Sequence, residues 1–192
     1  MKLRKWMGIV LLVIGAGAGA FTFVSRDVQK ELTKIESNDN WVQFSPADKR
    51  FSIEFPKSPK EESRQIEIPS ANQSLDYREM RAEESEVSYA VSYIDFPRKW
   101  RLVGSNTLLK KSLAILVEHE AEGMKLVSQQ VSTHNGLPAL DYIVKHGELE
   151  IQGKLILSGT TLYRLTATYL PAKASLVQHA QFVSSFNLLS HA

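Results

Sequence analysis

No cysteine occurs anywhere in the 192 residues. That excludes a disulfide framework, a thiol nucleophile and an acylated lipoprotein anchor, while leaving an oxidising compartment open. Excess charge of either sign is also lacking. The formal net charge is +2, from 23 basic and 21 acidic residues. Without Lys2, Arg4 and Lys5 the rest carries 20 bases against 21 acids, a net of −1. The basic pI of about 8.7 therefore reflects the N-terminus, and it gives no case for a nucleic-acid partner. The G-x-S-x-G turn of a nucleophilic serine is missing. His119-Glu120 opens like an H-E-x-x-H zinc helix, but Gly123 stands where the second histidine belongs. The remaining histidines have no ligand spacing, so no metal site is expected.

One long apolar run is present. Residues 6–25 contain no charged side chain, about the ~20 residues a helix needs to cross a bilayer. Within it, Gly15, Gly17 and Ala20 mimic a dinucleotide-binding glycine loop, and Glu36 falls near the place of a ribose-binding acid. The context does not follow. "DVQKELTKIES" has Val28, Leu32 and Ile35 at helical spacing, with no strand leading to Glu36. The glycines belong to a membrane segment, and no cofactor is expected.

Bases precede this segment and mixed charges follow it. A cytoplasmic N-terminal stretch 1–5, a transmembrane signal anchor 6–25 and a polar helical stalk 26–40 are therefore expected. Ala18-Gly19-Ala20 also fits signal-peptide cleavage. Phe21–Val24 continues the apolar run beyond that point and favours an uncleaved anchor. The expected location is the cytoplasmic membrane, single-pass, with residues 41–192 on the periplasmic or outer side, or secreted if cleaved after Ala20.

From Trp41 onward strands dominate. Phe51, Ile53 and Phe55 alternate with polar residues, and Val87, Tyr89, Val91 and Tyr93 alternate with Ser88, Ala90 and Ser92. A helix is expected from Ser105 or Asn106 to Gly123, with Leu109, Leu113 and Leu116 on its apolar stripe. Four strand-like runs follow, separated by Asn135-Gly136, His146-Gly147 and Ser158-Gly159. A last helix is expected around Leu176, Ala180 and Val183. The predicted fold class is α+β: a mostly antiparallel sheet flanked by helices.

The order "FSIEFP", "VSYAVSYIDFP", helix, hairpins ending in "LYRLTATY", then "QFVSSFNLL" resembles the Mog1/PsbP-like superfamily and related bacterial envelope domains over residues 41–189. The resemblance implies an α/β/α sandwich. It also implies a docking role without one common reaction, since members include an extrinsic photosystem subunit and a nuclear-transport factor. Arg50 departs from the glycine that similar bacterial sequences often carry there, which puts the tight turn before the second strand in question.

Candidate chemistry is sparse. Glu148 and Glu150 sit two apart, which reads as the wet face of one strand. Tyr89 and Tyr93 offer a stacking platform or, on the packing reading, fill the space under the helix at 105–122. In "FPRKWR", Arg98, Lys99 and Arg101 surround Trp100 just after the strongest strand, the composition of an interface hot spot. The alternative is a tryptophan tucked under the next helix. Together these features predict a non-enzymatic docking module for a protein or envelope partner. A carrier of a small apolar ligand is the alternative, and a hydrolase the weaker one.

Overall fold

The computed structural model describes residues 41–68, 73–119 and 123–189. The basic segment 1–5, the apolar run 6–25, the position after Ala20 and the stalk 26–40 lie outside the described residues. Among the described residues, no helix is long and apolar enough to cross a membrane.

Ten strands and two α-helices are described. A seven-stranded sheet has the order β3-β4-β5-β9-β8-β7-β6, formed by Lys60–Ile68, Gln73–Glu84, Val87–Asp95, Thr161–Tyr169, Leu149–Ser158, Leu137–His146 and Met124–His134. A smaller sheet has the order β1-β2-β10, from Val42–Phe44, Phe51–Phe55 and Asn187–Leu188. Every described pair is antiparallel. After β5 the chain forms a 3-10 turn, Arg98–Val103, and helix α1, Ser105–His119. It then starts again at the far edge and returns through three hairpins, which bring β9 beside β5. At the β6–β7 turn, Asn135 and Gly136 both have positive φ, 48° and 80°, as the Asn-Gly pair predicts.

Two cores lie on the two faces of the large sheet. On one face Leu108, Leu109, Leu113 and Leu116 of α1 pack against Tyr77, Ile94, Leu140, Val144, Leu155 and Leu162. Burying each leucine contributes about 2 kcal/mol. On the other face Phe51, Ile53 and Phe55 of β2 join Phe182, Val183 and Phe186 over Tyr89, Val91, Tyr93, Tyr163 and Leu165.

This arrangement corrects the expected layers. Helices do not cover both faces evenly: the second face is closed by the three-stranded sheet together with α2, a helix of six residues, His179–Ser184. The expected C-terminal helix is shorter because Pro171–Leu176 forms a separate 3-10 turn, and Leu176 is exposed. Helix α1 is preceded by Gly104 rather than capped by Ser105 or Asn106. The Gly104 carbonyl accepts the Leu108 N–H at 2.9 Å, and its φ of 84° is readily reached only by glycine.

Candidate functional site

The loop singled out in the sequence is the 3-10 turn 98–103, and it carries Arg98, Lys99, Trp100 and Arg101 together. Pro97 ends β5, and its carbonyl accepts the Trp100 N–H at 2.9 Å. The Trp100 ring lies against Phe96, with centroids 4.8 Å apart and planes 30° from parallel. Trp100 is partly buried and packs against the α1-side core, so it anchors the turn. Arg98 is exposed. The outermost apolar group is Leu102, 90% exposed. Sequence reasoning missed it because Leu102-Val103 reads as a continuation of the apolar residues leading into α1.

Tyr89 and Tyr93 sit elsewhere. Both are buried, but under β2 and α2, on the face opposite α1. The packing expectation therefore holds while the expected helix is the wrong one. Alternation along β5 turns Ile94 toward α1 and Tyr93 away from it. The Tyr89 hydroxyl accepts the Gln178 N–H at 2.9 Å. The Tyr93 hydroxyl donates to Asp48 at 2.6 Å. Burial and the Asp48 carboxylate push the Tyr93 hydroxyl well above its ordinary pKa.

Arg50 closes the same end of the sheet. Its guanidinium donates to both Asp95 oxygens at 2.9 and 2.7 Å, lies 3.3 Å from Asp48 and stacks 5.2 Å over the Tyr93 ring. The positive φ of the preceding turn falls on Lys49, at 51°. Position 50 therefore needs no glycine, and the doubt raised by Arg50 is resolved.

A second charged group borders α1. Arg81 holds Glu79 through two donors at 3.0 and 2.6 Å, and the Tyr77 hydroxyl donates to the same carboxylate at 2.6 Å. Burial opposes ionisation of Glu79, but Arg81 and Tyr77 outweigh it and hold its carboxyl below the usual range. Nearby, Arg164 donates to the Tyr142 hydroxyl at 2.9 Å. Tyr77, Ser92, Ser112, Leu155, Leu162 and Arg164 line a cavity of about 20 Å³ beneath the helix, room for about one water.

A third group, unseen in the sequence, lies on the opposite face, with Lys154 buried and Asp141 half exposed. Lys154 donates to Asp141 at 3.1 Å and to Ser132 at 3.2 Å. His179, on α2, is buried nearby, and its Nε2 has no partner. The signal was available: the turn at 147–148 fixes the β7–β8 register, which sets Asp141 opposite Lys154.

The remaining candidates separate. Glu148 lies in the turn rather than on β8, so it shares no strand face with Glu150. The Glu150 carboxylate accepts the Tyr169 hydroxyl at 2.7 Å. Glu120 lies outside the described residues. Among the described residues, no three of His, Asp or Glu cluster as a metal site would require.

An antiparallel seven-stranded sheet with α1 on one face and a small sheet plus short helix on the other defines the class of fold. The solution structure of cyanobacterial PsbP (CyanoP) from Synechocystis sp. PCC 6803 shares it, with a TM-score of 0.54 and 13% identity, over 82% of this chain and 99% of that one. A Pseudomonas aeruginosa protein of unknown function, PA94, aligns with a TM-score of 0.46 and 14% identity over 79% of this chain and 98% of that one. Neither a family model nor a curated protein matches the chain. The fold is PsbP-like.

Proposed function

We propose that this chain is a binding module that docks a protein partner through the turn at 98–103. In this reading residues 6–25 hold it at the membrane, with residues 41–192 on the far side from the cytoplasm. One observation carries the docking surface: Leu102 stands 90% exposed on a turn whose neighbour Trp100 is seated on Phe96. A leucine held out on an anchored turn, with the exposed Arg98 on the same turn, presents a small apolar contact beside a cation. Such a contact gains affinity from the leucine and orientation from the charge.

Two features favour docking over the other readings. The cavity beneath α1, at about 20 Å³, falls far below the ~300 Å³ and more of small-molecule pockets. The charged groups near it are spent on one another, as Arg81 is on Glu79. Crosslinking followed by affinity recovery from membranes tests the proposal. Leu102→Asp should eliminate the crosslinked partner while the protein still melts at its normal temperature. Undiminished recovery with this variant would remove the turn from the interface.

A further inference from the structure

We infer that β6 is a self-pairing edge, joining antiparallel to β6 of a second copy of this chain so that two seven-stranded sheets become continuous. The two edges of the sheet are built differently. At one, β3 carries Lys60, Glu61, Glu62 and Arg64, the charged side chains that keep other strands from adding to an edge. At the other, β6 reads "MKLVSQQVSTH" over Met124–His134, with Lys125 as its one lysine or acid. Every residue from Lys125 to Val131 is exposed, including Leu126 at 40%, Val127 at 54% and Val131 at 38%. Among the described residues, β6 pairs only with β7.

The pattern of β6 is self-complementary. A register shift between Leu126 and Ser128 bends the strand and leaves Ser128–His134 as its regular stretch. In an antiparallel pair, residues directly opposite point to the same face. A two-fold axis through Val131 satisfies this and places Val131 against itself. Gln129 then faces Thr133 and Gln130 faces Ser132. Ser128 faces His134, and no like charges meet. Lys125 falls outside the paired stretch. A partner strand of strong charge would gain nothing from this sequence, whereas a second β6 matches it in length, polarity and β-branching. Seven residues bury less than the ~1,200 Å² of a stable interface, so the dimer is weak in dilution and is best trapped covalently.

The absence of cysteine supplies the experiment. Single cysteines are placed at each position from 128 to 134 of the full-length chain, and at Glu62 on β3 as the control edge. Mild copper-phenanthroline oxidation should give a disulfide-linked homodimer that peaks at residue 131, falls off equally toward 130 and 132, and exceeds the control. Adding Gln129→Lys and Thr133→Lys, which face each other across the axis, to the position-131 cysteine should abolish the dimer band, while the reduced protein melts as before. Equal dimer from β3 and β6, or none from β6, would overturn the inference. So would crosslinking of the β6 cysteines to a different protein.

Discussion

The ring of Tyr142 on β7 lies across Gly153, its direct partner on β8, and a Cβ added at Gly153 would fall on the ring. This glycine therefore provides space rather than a special backbone angle. The space lets the Tyr142 hydroxyl reach Arg164 at 2.9 Å.

Gly153→Ala should force the ring off the strand and break that contact. Overpacking of this kind costs about 1–3 kcal/mol, read as a lower denaturation midpoint with an unchanged slope. Tyr142→Leu in the same chain should recover part of the loss, because the leucine leaves room for the new methyl. An unaffected single variant would show that the ring moves freely.

Trp100 and Leu102 are two residues apart and should respond oppositely. Trp100 is seated on Phe96 and the α1-side core, so Trp100→Ala removes packing and should cost up to about 3 kcal/mol. Leu102 has little to lose in the free protein, and Leu102→Asp should change stability by less than about 0.5 kcal/mol. Melting curves of the two variants check the contrast. A stable Trp100→Ala would return the tryptophan to the surface.

What the sequence disclosed follows from what periodicity can encode. Alternation along Val87–Tyr93 separates two faces of β5, and it did so correctly. It holds no information on which layer meets each face. That depends on α1 crossing to the far edge, over β7, β6 and β8. Asn135-Gly136 announced its hairpin through turn chemistry, but the β4–β5 turn uses Ser85-Glu86, a pair without that signature. Leu176, Ala180 and Val183 share helical spacing, yet Pro171 starts a separate turn and leaves α2 only six residues. At the candidate site, the sequence located the turn and its cations but chose the aromatic anchor over the exposed leucine. Composition ranks side chains by size, whereas exposure is set by Phe96 lying within reach of Trp100.

The Ser85-Glu86 turn offers a stabilising change. Both residues adopt positive φ, 50° and 67°, which a side chain disfavours by about 1 kcal/mol. Replacing the pair with Asn-Gly should therefore stabilise the fold by about 1 kcal/mol. The change removes the ion pair of Glu86 with Lys173, but half-exposed pairs contribute little. A higher melting temperature is the expected result, and a lower one would mean that the ion pair matters more than the turn.

The proposed topology rests on Lys2, Arg4 and Lys5 preceding the apolar run. A reporter fused after His191 should be active if it needs export and silent if it needs the cytosol. The opposite result would reverse the orientation. If the anchor is retained, the protein should also stay with membranes through an alkaline wash. A soluble product beginning at Phe21 would instead establish cleavage.

The buried His179 makes stability depend on pH. Burial holds its imidazole down at about 4, against an ordinary value of 6.5, with nearby Lys154 adding to the effect and Asp141 opposing it. Above pH 6.5 the ring is neutral in both folded and unfolded chains, and the full stability is present. Between 6.5 and about 4 the unfolded chain takes up a proton that the folded one refuses, so stability falls through this window. From pH 7 to pH 5 the loss should be about 2 kcal/mol. Stopping at pH 5 limits interference from Glu79, whose depressed pKa withdraws stability at lower pH. His179→Leu removes the titration, and it also removes a buried nitrogen without a partner. At pH 7 the variant should therefore match or exceed the parent, and between pH 7 and 5 it should lose about 2 kcal/mol less. Urea denaturation of both proteins at the two pH values gives the comparison. Equal losses would mean that His179 accepts a proton in the folded protein as readily as in the unfolded one.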